Sequence, residues 1–565
     1  MTELKNVQRE LADFRDRLYL VGLFILACLI LLLGRAFVLQ VLRHEELAER
    51  AEANRTAILP VVPIRGLITD RNGVVLASNY SAYTLEITPS KVPNLEATLD
   101  ALAEVVDIQP RGVEQRYERE LHGITGYQEV ETSAGGRAIR RLNSRGATPG
   151  NTVVLSIDIR LQALVEQLFG KRRGALVALD PRSGEVLALV SKPTFDPNLF
   201  VEGIDADNWR ELNESLDKPL LNRALRGTYP PGSTFKPFMA MAALNTGKRS
   251  AEQVIMDSGS YSFGGHVFRS HGDTGLGAVN LYTSIVKSSN VYYYSLANEM
   301  GVDLMHEQLS PFGFGRRTGI DLEGEVTGVL PSTEWKRRTY RKPEQQRWYA
   351  GETISLGIGQ GYNNFTMLQM AQAVSTLISG GQRFAPRVVR EVRDVVSGQV
   401  TSVERPQETP LPFKPEHVDL IRKSMYGVTQ EGTSTRIFAG APYASGGKTG
   451  TAQAVTIRQN EKYNAARLSE YQRDHSLYIA FAPLQEPTIA VALVVENAGF
   501  GAAAAAPIAR RVFDYWIDGR WPSEEDMAAT QRGETAAPVG PARQAAEVPL
   551  PGSGLSAAET GGSAR

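Results

Sequence analysis

Cysteine is almost absent. Among 565 residues there is one, Cys28, so no disulfide forms within the chain, and any part outside a reducing compartment is held by packing alone. Net charge is nearly absent too: 61 Lys plus Arg stand against 62 Asp plus Glu, so nothing in the overall charge suggests a nucleic-acid surface. A Gly-x-Ser-x-Gly elbow is missing and only seven histidines occur, so the sequence lacks the signature of a histidine-activated serine. No internal repeat is visible.

What is present begins with one long apolar run. Residues 18–33 carry no charge, and after Gly34 and Arg35 the apolar character resumes through 42. A membrane span needs roughly 20 such residues, which 18–38 supplies if Arg35 reaches back to the interface. No small-x-small cleavage site follows, so the expectation is an uncleaved anchor rather than a signal peptide. Four basic residues precede the span and Arg43, Arg50 and Arg55 follow it, so charge alone does not orient it. The short N-terminal tail favours an anchor with the bulk of the chain outside the cytoplasm.

Three short strings carry the chemistry: Ser233-Thr234-Phe235-Lys236, Ser288-Ser289-Asn290 and Lys448-Thr449-Gly450-Thr451. A lone Ser-x-x-Lys is weak, and Ser215 to Lys218, Ser284 to Lys287 and Ser445 to Lys448 repeat it. Context separates Ser233 from these. It follows Tyr229-Pro230-Pro231-Gly232 and opens an apolar run, 235–244, closed by Asn245-Thr246-Gly247, which predicts a helix with Ser233 in its first turn. There the hydroxyl meets unpaired N–H groups and the positive helix end. Lys236, three residues on, shares its face.

A lysine serves as base where its amine is neutral, a state favoured by desolvation and by a second nearby cation. Lys236 is the predicted base and Lys448 the second cation, which also attracts a substrate carboxylate. On a connecting loop, Ser288 relays a proton and Asn290 binds a substrate amide; taken alone this string reads as an ordinary turn. Gly446-Gly447 before Lys448 suits an extended edge strand, where a peptide docks by strand addition and the hydroxyls of Thr449 and Thr451 hold its terminal carboxylate. Gly450 lets the backbone approach closely. The N–H groups of Ser233 and Thr451 form the expected oxyanion hole.

Elsewhere, residues 65–76 read as a hairpin turning at Asn72-Gly73. A helix is expected over 159–169, hairpin strands over 174–179 and 185–190, a second hairpin over 478–481 and 488–495, and a closing helix over 505–516. The fold class is therefore α+β: a transmembrane helix, a mixed pedestal, and a domain with a central antiparallel sheet flanked by helices. The expected boundaries are 1–17 for a cytoplasmic tail, 18–42 for the anchor, 43–150 for the pedestal, 151–522 for the catalytic domain and 523–565 for a disordered tail, the last from its Ala, Pro and Gly content. Asp257, His266, His271 and Asp273 lie close enough in sequence for a metal site, but such loop residues are read as solvated, and no metal or cofactor is expected.

The ordered strings make the chain resemble the class B penicillin-binding proteins, the monofunctional D,D-transpeptidases that cross-link peptidoglycan. The likeness extends to residues 65–73, similar to the first signature of the family's non-catalytic module, and to Gly357-Ile358-Gly359-Gln360-Gly361, similar to its late Gly-rich signature. Asp196-Pro197-Asn198, Asn222-Arg223-Ala224 and Tyr229-Pro230-Pro231-Gly232 resemble the elongation-specific branch, penicillin-binding protein 2. The resemblance implies a penicillin-binding, serine β-lactamase-like fold and an acyl-enzyme at Ser233 formed with release of D-Ala. It implies stem peptides as substrates and β-lactams as inhibitors. It further implies a single-pass inner-membrane protein with its catalytic domain in the periplasm, beside a multi-spanning SEDS-family glycosyltransferase and other elongation-complex proteins. The family's pedestal is usually longer; Val105 to Pro110 runs abruptly into 111–126, as though its head were missing. A non-catalytic β-lactam sensor or cell-wall scaffold is the rival reading, and it would tolerate loss of Ser233.

Overall fold

The computed structural model describes residues 7–79, 112–133, 137–201, 203–270, 274–403, 408–454, 467–534 and 536–550. The chain forms two compact units, residues 1–65 with 122–150, and residues 66–121 with 151–565. The expected 43–150 pedestal thus divides: residues 66–79 and 112–121 belong with the larger unit. The expected missing head of the pedestal falls mostly outside the described residues.

In the first unit, helix α1 (Val7–Phe37) carries the apolar run. Residues Leu11–Leu42 hold an 18-residue stretch with a mean hydropathy of 2.6 and are long and apolar enough to cross a membrane. The same unit holds a three-stranded sheet, Thr56–Val61, Gly126–Thr132 and Ala138–Arg145, with the middle strand antiparallel to both neighbours.

The larger unit is built on a five-stranded antiparallel sheet. Its strands are β1 (Gly174–Leu179), β2 (Val186–Lys192), β3 (Gly446–Ala452), β4 (His475–Ala482) and β5 (Ile489–Val495), in the spatial order β3-β4-β5-β1-β2. Successive side chains of a strand point to opposite faces, and here both faces are covered. Val177, Ile479 and Ala492 face one core, which includes Phe238 and Met239 of α2 (Lys236–Thr246). Leu176, Tyr478 and Leu493 face the other, which includes Leu164 and Leu168 of the helix Ile159–Phe169. Strands buried on both faces read as near-continuous apolar runs, which is why β5 is Ile-Ala-Val-Ala-Leu-Val-Val.

Further helices complete the first core: α3 (Asn290–Leu309), α4 (Ala350–Leu356) and α5 (Met367–Ile378). The second core is closed by α6 (Gly501–Asp518). A separate sheet pairs Thr152–Leu155 with Val389–Arg393 and, in parallel, with Ile68–Thr69 of the predicted Asn72-Gly73 hairpin.

The expected disorder after 522 is corrected over 524–534 and 536–550. There α7 (Glu524–Arg532) forms, and Arg520–Trp521 pairs with Arg543–Gln544. A buried ion pair that composition does not reveal joins this segment to α6. Arg511 of α6 and Asp526 of α7, each about 1% exposed, meet at 2.6 Å, and the indole of Trp521 is buried beside them in the same core.

Candidate active site

The three strings meet at the edge of the sheet. Ser233 does not lie inside the helix proper: residues Gly232–Phe235 form a 3-10 turn, and α2 starts at Lys236. Pro237 has no N–H and is tolerated only in a first turn, so the tighter turn precedes it. Gly232 takes φ +53°, and a Cβ there would press on the carbonyl of Thr451. Ser233 is half-buried, while Thr234 and Lys236 are fully buried.

Ser288 and Asn290 bracket a helix start. Ser289 is the N-cap of α3, its hydroxyl accepting from the Tyr292 N–H. Asn290 is therefore the first helical residue rather than a loop residue. Ser288 is held at φ +59°, a conformation that non-glycine residues seldom adopt and that clusters at functional positions. This twist turns its hydroxyl and its carbonyl toward the lysines.

Lys236 Nζ donates to Ser288 O at 2.8 Å and to Asn290 Oδ1 at 2.7 Å, and lies 3.2 Å from Ser288 Oγ. Lys448 Nζ approaches the same hydroxyl from the other side at 2.9 Å. Ser288 Oγ is thus the bridge between two amines. Both are buried, and burial penalises a charged amine. Desolvation, aided by the charge of Lys448, holds Lys236 well below the ordinary lysine range, against an opposing pull from Asp257. Desolvation brings Lys448 down to about 7. The structure gives Lys236 the desolvation and the neighbouring cation that favour a neutral amine.

The Lys448 string occupies β3, the edge strand anticipated from its glycines. Gly450 lies where a Cβ would crowd Thr234 and the Pro231 carbonyl, so the strand closes against the Ser233 turn. Thr449 Oγ1 is 2.7 Å from Thr433 Oγ1. Thr451 is half-buried and its carbonyl accepts from Gln360 Nε2 at 3.2 Å. The decoys are spent on structure: Ser284 Oγ donates to Leu281 O and contacts Tyr293 Oη, and Lys218 sits at φ +47° in a turn.

Asp257 is the group whose role the sequence did not disclose. It is 2% exposed and accepts from Ser289 Oγ at 2.6 Å and from the Gly259 N–H at 2.8 Å. His266 instead lies exposed on a strand, packed edge-on against Phe268 at 4.6 Å. His271 and Asp273 lie outside the described residues. Among the described residues no group of three or more His, Cys, Asp or Glu is placed to hold a metal.

An edge strand, a buried lysine pair and a serine at a tight turn meet in one site, an arrangement that suits a serine acyl-transferase. The profile described as the penicillin binding protein transpeptidase domain matches residues 174–514, and that of the penicillin-binding protein dimerisation domain matches 60–111 and 110–155. The chain belongs to the penicillin-binding proteins of the transpeptidase family. It is 34% identical to the peptidoglycan D,D-transpeptidase MrdA of Acinetobacter baumannii, over 91% of this chain and 89% of that protein. It is 33% identical to MrdA of Escherichia coli, over 90% and 94%. Of solved structures, Pseudomonas aeruginosa PBP2 in complex with WCK 5153 aligns with a TM-score of 0.68 at 37% identity, over 82% of this chain and 97% of that one. A chain of a peptidoglycan synthase complex described as coordinating polymerization and crosslinking aligns with a TM-score of 0.64 at 29% identity, over 89% and 98%. The chain is a serine-type D,D-transpeptidase, with an apolar N-terminal helix that fits a membrane anchor.

Proposed function

We propose that Ser233 is the nucleophile and Lys236 its base. Ser288 relays the proton, and Asn290, Lys448, Thr449, Gly450 and Thr451 hold the donor peptide. The observation that carries this is the single hydroxyl of Ser288 lying within 3.2 Å of one buried amine and 2.9 Å of the other. Neutral Lys236 takes the Ser233 proton as Oγ bonds to the carbonyl carbon of the penultimate D-Ala. The peptide C–N bond then breaks, and the leaving nitrogen takes a proton passed through Ser288. D-Ala departs with its carboxylate, which had faced Lys448, Thr449 and Thr451. An amine of a second stem peptide next attacks the ester, returning the proton along the same path and freeing Ser233. The N–H groups of Ser233 and Thr451 stabilise the oxyanion, a contribution of about 3 kcal/mol per donor in comparable sites.

The biological setting is cell-wall elongation and maintenance of shape. The chain stands in the inner membrane by 18–42, with residues 1–17 in the cytoplasm and the catalytic unit in the periplasm. Its partner is a multi-spanning SEDS-family glycosyltransferase, with other elongation-complex proteins; the likeness to a chain of a peptidoglycan synthase complex supports this. β-Lactams acylate Ser233. Mass spectrometry of the full chain after β-lactam treatment is expected to find one adduct, on Ser233, and none on Ser233→Ala. An adduct elsewhere overturns the assignment.

A further inference from the structure

The segment Gly357-Ile358-Gly359-Gln360 touches all three elements that carry the strings. Gly357 lies against α3, where a Cβ would overlap the Tyr293 carbonyl, three residues from Asn290. Gly359, at φ +73°, accepts from the Gly232 N–H at 3.0 Å, and a Cβ on it would overlap the Gly232 carbonyl. Gln360 extends its amide to the Thr451 carbonyl. Only glycine permits backbone approach this close, so two glycines are spent on bringing this segment against Tyr293 and the Ser233 turn, and one amide on reaching the strand.

The segment is also anchored from behind. It follows α4, whose Glu352 accepts from Lys336 Nζ at 2.5 and 2.6 Å and from Tyr362 Oη at 3.1 Å. Lys336 is 3% exposed and sits 5.4 to 5.6 Å from the rings of Trp348, Tyr349 and Tyr362. Asn363 Nδ2 donates to Leu356 O at 3.0 Å, closing the turn on itself. A segment held at both ends transmits position rather than absorbing it.

We infer that Gln360 is a positioning residue for the transpeptidase reaction: it clasps β3 to the Ser233 turn and so fixes the spacing between the Ser233 and Thr451 N–H groups. This rests on the proposal that those two groups form the oxyanion hole. An edge strand is paired on one side only, so without the clasp the end of β3 at Thr451 keeps its place beside Gly232 by packing alone and its position there loosens. The two donors then no longer converge on one oxygen. Because the carboxylate-binding hydroxyls of Thr449 and Thr451 travel with the strand, the loss falls on the chemical step more than on initial binding.

The test uses the full chain in detergent micelles with nitrocefin, resolving the dissociation constant of the first complex from the acylation rate constant by stopped flow. Gln360→Leu is expected to lower the acylation rate constant about tenfold, within the range that small misplacements of catalytic groups produce, with the dissociation constant within about twofold and an unchanged melting temperature. Gln360→Glu adds a readout that a structural role would not move. Its carboxylate cannot donate to the Thr451 carbonyl but its carboxyl can, so the variant-to-wild-type rate ratio is expected to climb as the pH is lowered toward roughly 5. Wild-type rates in both variants overturn the inference, as does a loss confined to the dissociation constant or one that tracks a fall in melting temperature. Absence of a Ser233 adduct in the wild type overturns instead the reading of the site on which the inference rests.

Discussion

At the scale of single residues, the site works by keeping two lysines out of water. Burial, and then the charge of Lys448, holds Lys236 well below the ordinary lysine range, and Asp257 opposes this. Acylation by a carboxylate-bearing β-lactam is therefore expected to persist below pH 7 on the acid side. On the alkaline side it weakens as free Lys448, at about 7, loses the proton that attracts the carboxylate. Stopped-flow acylation across pH measures both limbs. Asp257→Asn removes the opposing charge while keeping an acceptor for Ser289, so the acid limb is expected to move to lower pH; a shift the other way contradicts the assigned sign. Ser233, Lys236 and Lys448 were legible because their spacing and flanking residues are local. Asp257 was not, because its partner Ser289 lies 32 residues away and only the fold joins them.

At the scale of elements, the central strands and the flanking helices follow from apolar patterning and turn chemistry. The predicted 159–169 helix is found over Ile159–Phe169, with Asp158 capping it through the Arg160 and Leu161 N–H groups. The edge position of β3 was likewise foreshadowed by its glycines. The 3-10 turn at Ser233 was not, since it depends on Gly232 meeting β3 and Gly359. Gly450→Val is expected to push β3 off the Ser233 turn through its contact with Thr234. Overpacking of this kind costs about 1–3 kcal/mol, read as a lowered denaturation midpoint, and acylation is expected to fall further than stability does.

At the scale of the whole molecule, the C-terminal segment belongs to the fold. Truncation after residue 522 removes Asp526 and leaves Arg511 buried without its partner. Breaking a buried pair from one side costs about 3–5 kcal/mol. The same loss is expected for Asp526→Ala in chemical denaturation, with acylation of the remaining folded protein near the wild-type rate, because the pair lies in the core on the face of the sheet opposite α2.

The sequence by itself determined the anchor helix, the central strands and the three strings, because each depends on residues a few positions apart: hydrophobic period, turn residues and the reach of one side chain. The tertiary structure alone decided that Ser288 bridges two buried amines, that the Gly357 to Gln360 segment touches the three elements that carry the strings, and that the Ala- and Pro-rich C-terminal segment is folded over 524–534 and 536–550. Those outcomes depend on desolvation and on contacts between distant segments, and neither exists until the chain has folded.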